Sequence, residues 1–319
     1  MTENEFILSD RLQKIRQIIG KYGEDNFYIS FSGGKDSTVL SKLVDMALPD
    51  NNIPRVYADT GIELNMIRDF VYSMAEKDHR VEIIKPSIPI IPMLEAEGYP
   101  FKSKEHSYKW SVYSKGGIRL KEVQRYLGLS KRPKDTDITV KRYMCPNKLL
   151  FQFTNSYLKD GLKISDKCCI HLKENPLHEW QNRNNKPYGI VGLMHDEGGR
   201  RITAKCLTFQ SNTLKAFQPL VPITKSWEEW FIKNYNVEIC DIYKPPYNFP
   251  RTGCKGCPFI INLQEQLDVL QKYFPAERKQ CEIIWKPVYD EYRRIGYRLK
   301  NDKVPGQYFF NERGEIIEE

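Results

Sequence analysis

The feature that most limits the fold is an alternation near the N-terminus between short apolar runs and longer amphipathic ones. Asn26 to Phe31 is aromatic and β-branched. Gly33-Gly34 interrupt it, and Asp36 to Leu48 resumes with Val39, Leu40, Leu43, Val44 and Ala47 at helical spacing. Pro49 to Pro54 reads as a turn, Arg55 to Ala58 as a second strand, Glu63 to Lys77 as a helix and Arg80 to Ile84 as a third strand. Upstream, Leu8, Leu12, Ile15, Ile18 and Ile19 predict a lead-in helix over Glu5 to Tyr22. Repeated βαβ units predict an α/β fold: a Rossmann-like parallel sheet with helices on both faces and ligands at the carboxyl ends of its strands. Ser32 to Ser37 and Asp59 to Glu63 fall at two such ends.

A length of 319 residues with 40% hydrophobic content suffices for one large domain with an annex. A strand-like Tyr188 to Met194, a helical Trp227 to Tyr235 and a closing helical region after Ile260 complete the pattern, with a weakly held tail beyond Gly306. The N-terminus carries early acids rather than an apolar run of signal length, and no stretch approaches a membrane span. The expected location is cytoplasmic, with no membrane partner.

The net charge of +8 is concentrated. Lys102 to Lys148 holds thirteen Lys and Arg against four Asp and Glu, a net of +9, so the basic character belongs to an insert spanning roughly 86–165. Tyr108, Trp110, Tyr113, Tyr126 and Tyr143 are interleaved with these charges, which suits phosphate contact and base stacking by a nucleic acid. A solvated helical hairpin accounts for the same composition at least as well.

The loop Ser32-Gly33-Gly34-Lys35-Asp36-Ser37 is too short for a Walker loop and lacks the G-x-G-x-x-G spacing of a dinucleotide fingerprint. Its small residues let backbone N–H groups converge at a helix N-terminus, where an anion is stabilised by unpaired donors and the helix dipole. Lys35 adds a mobile charge, and Ser32 and Ser37 add hydroxyls. A Gly-Gly turn capped by Asp36 or Ser37 is the simpler reading of the turn alone.

The whole string SGGKDS, placed after a strand and opening a helix, resembles the pyrophosphate (PP) loop of the adenine-nucleotide α-hydrolase superfamily. That superfamily includes ATP pyrophosphatases, tRNA thiolation enzymes and phosphoadenosine-phosphosulfate (PAPS) reductases. Asp59-Thr60-Gly61 with Glu63 resembles the DTG-x-E turn of the PAPS reductase branch, and EGYPFKSKEHS, Glu97 to Ser107, resembles that branch's second loop, with Lys102, Ser103 and Lys104 as phosphate contacts. VGLMHDEGGRR, Val191 to Arg201, resembles its anion-binding strand-loop. Glu197 and Arg201 match, Arg200 is additional, and Gly198 stands where the family has serine. QPLVPITKSWEEW, Gln218 to Trp230, resembles the segment leading to the family's second cysteine pair. The resemblance spans about residues 26 to 260. It implies a nucleotide-binding domain over 1–260 and leaves 261–319 as a helical extension and tail.

Eight cysteines occur, and two groupings stand out: adjacent Cys168-Cys169, and Cys254-Lys-Gly-Cys257. Adjacency is awkward for tetrahedral zinc, whose paired ligands usually stand two to four apart, whereas neighbouring thiolates can bind different irons of one cubane. The CC…CxxC pattern, with about 85 residues between the pairs, resembles that of iron–sulfur-bearing sulfonucleotide reductases and a related DNA phosphorothioation subunit. It implies a [4Fe–4S] cluster on Cys168, Cys169, Cys254 and Cys257, with zinc in the same positions as the alternative. Cys145 is a thiol near the site or a buried residue; Cys206, Cys240 and Cys281 read as core. Of the histidines, only His195 falls in an anion-loop phrase.

The assimilatory reductases resembled here carry a catalytic cysteine near the C-terminus, and no cysteine follows Cys281. Three functions remain in view. The first is a transferase that binds ATP, uses Lys35, Asp36 and Arg201 at the α-phosphate, adenylates an acceptor with release of pyrophosphate, and serves sulfur transfer or nucleic-acid modification. The second is an oxidoreductase acting on adenosine phosphosulfate or PAPS through a non-standard thiol. The third is a nucleotide-binding regulatory protein without turnover. Magnesium, a sulfur or electron donor protein, and self-association are further candidates as cofactor and partners.

Overall fold

The computed structural model describes residues 1–126, 130, 162–197, 199–299, 309–310 and 316–317. Cys145, Tyr143 and Gly198 lie outside them, and the side chains of Glu197 and Arg200 are likewise outside the description. In chain order the elements are α1 (Glu3–Tyr22), β1 (Phe27–Phe31), α2 (Lys35–Ala47), β2 (Arg55–Ala58), α3 (Asn65–Lys77), β3 (Val81–Ile84), α4 (Ile90–Glu97), α5 (Lys104–Gly116) and α6 (Lys121–Tyr126). There follow α7 (Asn175–Asn184), β4 (Tyr188–Val191), β5 (Leu207–Gln210), β6 (Thr213–Phe217), α8 (Lys225–Asn234), α9 (Leu263–Tyr273), α10 (Pro275–Ile284), α11 (Lys286–Arg294), and two short strands, β7 (Phe309–Phe310) and β8 (Ile316–Ile317).

The chain divides into two compact units, one of residues 1–87 and 172–253, the other of 88–171 and 254–319. The first unit is the α/β part. Its six strands run in the order β3-β2-β1-β4-β6-β5. All pairs are parallel except β5 with β6. The sheet is therefore mostly rather than wholly parallel. Ser211 and Asn212, both at positive φ, turn β5 back on β6 in a two-residue hairpin. The strand β5 is largely exposed, so it lacks the buried alternation by which a strand is read from sequence.

Both faces of the sheet are covered. On one, Ile15 and Ile19 of α1, Leu40 and Leu43 of α2, and Trp227 and Phe231 of α8 pack with Phe27, Ile29, Ile190 and Phe217. On the other, Val71 of α3 joins Phe31, Tyr57 and Val81, and Trp180 of α7 joins Tyr28 and Val56. The lead-in helix starts in a capping box, Thr2 Oγ1 accepting from Glu5 N at 3.3 Å and Thr2 N donating to Glu5 Oε2 at 2.7 Å. No helix among the described residues is long and apolar enough to cross a membrane.

Among its described residues the second unit is mainly helical. Tyr99 and Ile164 form an isolated parallel bridge. Leu267, Leu270, Cys281, Trp285, Val288, Tyr289 and Tyr292 are fully buried, and the rings of Phe101 and Tyr292 lie 5.2 Å apart. Trp110 and Tyr113 of α5 pack on Val123 and Tyr126 of α6. These three interleaved aromatics thus form a small core, while Tyr108 stays exposed.

Candidate functional site

The strand order fixes where a ligand can enter the first unit. The chain leaves β1 for β2 on one side, and β4 pairs with β1 on the other. The crevice beyond the carboxyl ends of β1 and β4 is the topological switch point, where open α/β sheets take their ligands. A cavity of about 390 Å³ lies there, lined by Ser32 to Ser37 without Gly33, by Gly192 and Met194 after β4, by Arg201, by Lys225, Glu228 and Glu229 of α8, and by Tyr243 and Pro250 to Thr252.

Local chemistry explains the loop. Gly33 has φ +67°, and a Cβ there would stand 2.4 Å from Val71 Cγ2. No other residue type suits that position. Gly34 caps α2 without a side-chain hydrogen bond, and the first turn of that helix, Lys35 to Ser37, lines the cavity. Ser37 Oγ donates to Gly34 O at 2.9 Å and lies 3.0 Å from Ser32 Oγ. Gly192 lets the end of β4 approach this turn, since a Cβ would meet the Asp36 carbonyl oxygen at 3.1 Å.

Four cations converge on the cavity: Lys35, Arg201, Lys225 and Arg251. Burial, and next the charge of Arg251, push the Arg201 guanidinium below its usual range, while Asp36 opposes the shift. Two arginines crowded in this way are stabilised by an incoming anion. Opposing them is Glu228, wholly buried, with Oε2 2.9 Å from Lys35 Nζ. Burial first, and then the charge of Asp36, push its carboxyl up to about 7, with Lys35 pulling the other way. Tyr243 hydrogen-bonds Thr252, and burial pushes its hydroxyl up to about 12.

Among the residues singled out from sequence, Ser32, Gly34, Lys35, Asp36, Ser37 and Arg201 meet in this one cavity. Asp59, Thr60 and Gly61 form a self-bonded turn at the end of β2. Asp59 Oδ1 accepts from Gly61 N at 3.1 Å and Oδ2 from Tyr72 Oη at 2.8 Å, while Thr60 Oγ1 donates to Glu63 at 2.7 Å. Glu63 lines a smaller cavity of about 160 Å³ with Ser30, Tyr57 and Lys173. His195 Nε2 bonds the Ala204 carbonyl at 2.8 Å, bracing the arginine-bearing loop. Lys102 and Lys104 belong to the second unit. Lys102 is buried with its ammonium 4.7 Å from the Tyr297 ring centroid, and Lys104 opens α5 exposed to solvent.

Sequence reading passed over Glu228, Lys225, Tyr243 and Arg251. Glu228 was visible only as one acid of the KSWEEW phrase. A fuller signal was its place beside Trp227 on the apolar face of α8, where an acid needs a partner.

The four cysteines of the CC…CxxC pattern all fall in the second unit. Cys168 is buried, and its thiol is pushed far up by a hydrogen bond with Cys169, by burial, and by the charges of Cys169, Cys257 and Cys254. Thiols that oppose one another's ionisation are the donor set a metal or cluster offsets with positive charge. Among the described residues, however, no group of three or more His, Cys, Asp or Glu stands in a metal-holding arrangement. The donor set fits such a group in kind.

The Cys254–Cys257 turn is firmly held. Gly256 has φ +60°, and Cys257 N donates to Cys254 O at 3.2 Å. Trp285 Nε1 donates to Lys255 O at 2.9 Å, Tyr289 Oη to Gly256 O, and Tyr292 Oη to Pro258 O at 2.9 Å. Lys255, itself buried, pairs with buried Glu277 at 3.4 Å and donates to Gln280 Oε1 at 2.7 Å.

Comparison with known proteins addresses the loop and its flanking strands. Residues 26–116 match the phosphoadenosine phosphosulfate reductase domain. That match begins just before β1 and includes the glycine loop, the Asp59 turn and the Lys102 segment. No curated protein matches the chain. Among solved structures, a PAPS reductase from Candida auris in a phosphate complex is 11% identical, with 76% of this chain and 91% of that one covered, at a TM-score of 0.40. An FMN adenylyltransferase from Candida glabrata is 12% identical over 79% of this chain, at a TM-score of 0.45, and this chain spans 62% of its length. A tRNA thiolase from Methanococcus maripaludis with its [4Fe–4S] cluster is 14% identical, covering 93% and 83%, at a TM-score of 0.37.

Proposed function

We propose that the chain is a nucleotide-dependent enzyme that binds ATP in the switch-point cavity and activates its α-phosphate for attack by an acceptor. The observation that carries this reading is the convergence of Lys35, Arg201, Lys225 and Arg251 with the N-terminus of α2 and the Ser32 and Ser37 hydroxyls on one cavity. Such an array stabilises a polyphosphate and the charge that grows on it as the bond to the leaving group lengthens. An acceptor oxygen attacks the α-phosphorus, the α–β anhydride bond breaks, pyrophosphate leaves and the acceptor's proton passes to solvent. Lys35 and Arg201 hold the phosphates and oppose the developing charge. Asp36, beside them, acts on Glu228 and so on the ion pair that positions Lys35.

Cys168, Cys169, Cys254 and Cys257 would hold a [4Fe–4S] cluster, which supplies electrons or a sulfur-binding iron when bound. Lys255 and its clamped turn would keep two of those thiols fixed. In this reading the adenylated acceptor is then thiolated or otherwise modified, and the basic insert supports a nucleic acid as that acceptor. The match of residues 26–116 favours a second reading, reduction of a sulfonucleotide. Cys281 is a poor nucleophile for it, because it is fully buried and its thiol is pushed up to about 12.

Anaerobic purification with iron, zinc and sulfide analysis, followed by incubation with ATP and separately with adenosine phosphosulfate, tests these readings. Pyrophosphate from ATP is the expected product. Sulfite from the sulfonucleotide establishes the second reading instead, and nucleotide binding with neither product makes the chain a nucleotide-binding regulatory protein. Zinc in place of iron and sulfide removes the cluster.

A further inference from the structure

The cavity contains a group that competes with its expected ligand. Glu228 is wholly buried on α8, and its carboxylate sits 2.9 Å from Lys35 Nζ, the cation of the glycine loop. A buried carboxylate is costly unless a cation pairs it. A phosphate entering the loop needs that same ammonium.

We infer that Glu228 is a proton-linked latch on Lys35: a nucleotide polyphosphate takes Lys35 away from Glu228, and Glu228 takes up a proton from solvent as it is released. This rests on the nucleotide reading above and concerns how that site is governed. Glu228 is a positioning residue here, acting on phosphate through Lys35. The charges balance: one proton enters for each polyphosphate bound, an O–H bond forms on Glu228 as the bond to that proton breaks in hydronium or the buffer acid, and no other covalent bond changes.

The charged groups around Glu228 pull its titration in opposite directions. From α2 come Lys35, which favours its ionised form, and Asp36, which opposes it. On α8 itself, Lys225 and Glu229 line the same cavity, with Arg201, Arg251 and Tyr243 on the facing segments. Lys35 is the partner with which Glu228 forms an ion pair. Once Lys35 turns to a phosphate, Glu228 loses that attraction and gains a polyanion as neighbour. Both changes favour the protonated carboxyl. The carboxyl is already near neutrality in the free chain, so the step is accessible at physiological pH.

Linkage fixes the sign. If binding consumes a proton, affinity falls as pH rises above about 7, approaching tenfold per unit. Phosphate second ionisations lie near pH 6, so between pH 7.5 and 9 this slope belongs to the protein. Glu228→Gln keeps the shape and removes the charge. At pH 8, one unit above the titration, it should bind ATP about tenfold more tightly than the unaltered chain.

The test is calorimetric titration of the full chain with ATP at pH 8 in two buffers of different ionisation heat, repeated for Glu228→Gln and Lys35→Ala. Proton uptake approaching one per ATP in the unaltered chain, and near zero in Glu228→Gln with tighter binding, is the expected result. ATP binding without proton uptake in the unaltered chain overturns the latch while leaving the nucleotide reading intact, and this arm stands even if the glutamine variant does not fold. Absence of ATP binding at every pH overturns both.

Discussion

The glycine loop after β1 and the cysteine turn at 254–257 are both short and next to charge, and each holds one left-handed glycine against packed atoms, Gly33 at φ +67° and Gly256 at φ +60°, but the loop adds a second glycine that faces a cavity. Gly34 has ordinary φ, −75°, and faces a cavity bounded by hydroxyls: a Cβ added there would stand 3.1 Å from Ser32 Oγ and 3.3 Å from Tyr243 Oη. Gly256 has φ +60° and faces packed atoms, where a Cβ would meet Tyr289 Oη at 2.4 Å and Cys281 Sγ at 2.8 Å. Charge follows the same division. Lys35 is paired at the rim of an open cavity, whereas Lys255 is sealed against Glu277 and Gln280. One turn can exchange its partners for a ligand; the other can only keep them. The contrast agrees with the proposal that the loop binds a ligand and the cysteine turn holds a fixed group.

The largest expected effect breaks the second turn. Gly256→Ala combines left-handed backbone strain with overpacking and should destabilise the chain by about 3–4 kcal/mol, read from chemical denaturation. Next is the titration of Glu228. Its folded carboxyl lies near 7 against an ordinary 4.5, so the folded state holds a proton that the unfolded chain releases between those values. Stability of the ligand-free chain should therefore fall as pH rises from about 4.5 to 7, by roughly 3 kcal/mol from this group. Glu228→Gln should flatten that decline. Tyr289→Phe leaves the buried Gly256 carbonyl without its donor and should cost about 1–3 kcal/mol. Gly34→Ala should be the mildest for stability, within about 1 kcal/mol, because its backbone is unstrained. It should still lower ATP affinity, since the methyl enters the cavity beside Ser32. A larger loss of stability at Gly34 than at Gly256 would invert the comparison.

How far sequence reached follows the same physics. The loop Ser32 to Ser37 is contiguous, and its strand and helix carry strong periodicity, so the binding turn and its place in the sheet could be read directly. The strand Arg55–Ala58 is where the sequence predicts it. Glu228, Tyr243 and Arg251 reach the cavity from about 200 residues downstream, and no local pattern announces a meeting that depends on how α8 and the 243–252 segment pack. The β5–β6 hairpin escaped for another reason: an exposed edge strand has no buried face to impose alternation. Lys102, read as a phosphate contact, has its ammonium over the Phe101 and Tyr297 rings, an environment set by residues almost 200 positions apart.

Whether the switch-point cavity holds a nucleotide's phosphates through Lys35 is tested most directly by equilibrium binding of ATP to the full chain and to Lys35→Ala, at pH 7 and fixed salt. Saturable binding should weaken about 10- to 100-fold in the variant, the range of one charge-assisted hydrogen bond, with the fold unchanged by circular dichroism. Equal affinity in the two proteins would contradict a role for Lys35 in holding phosphate.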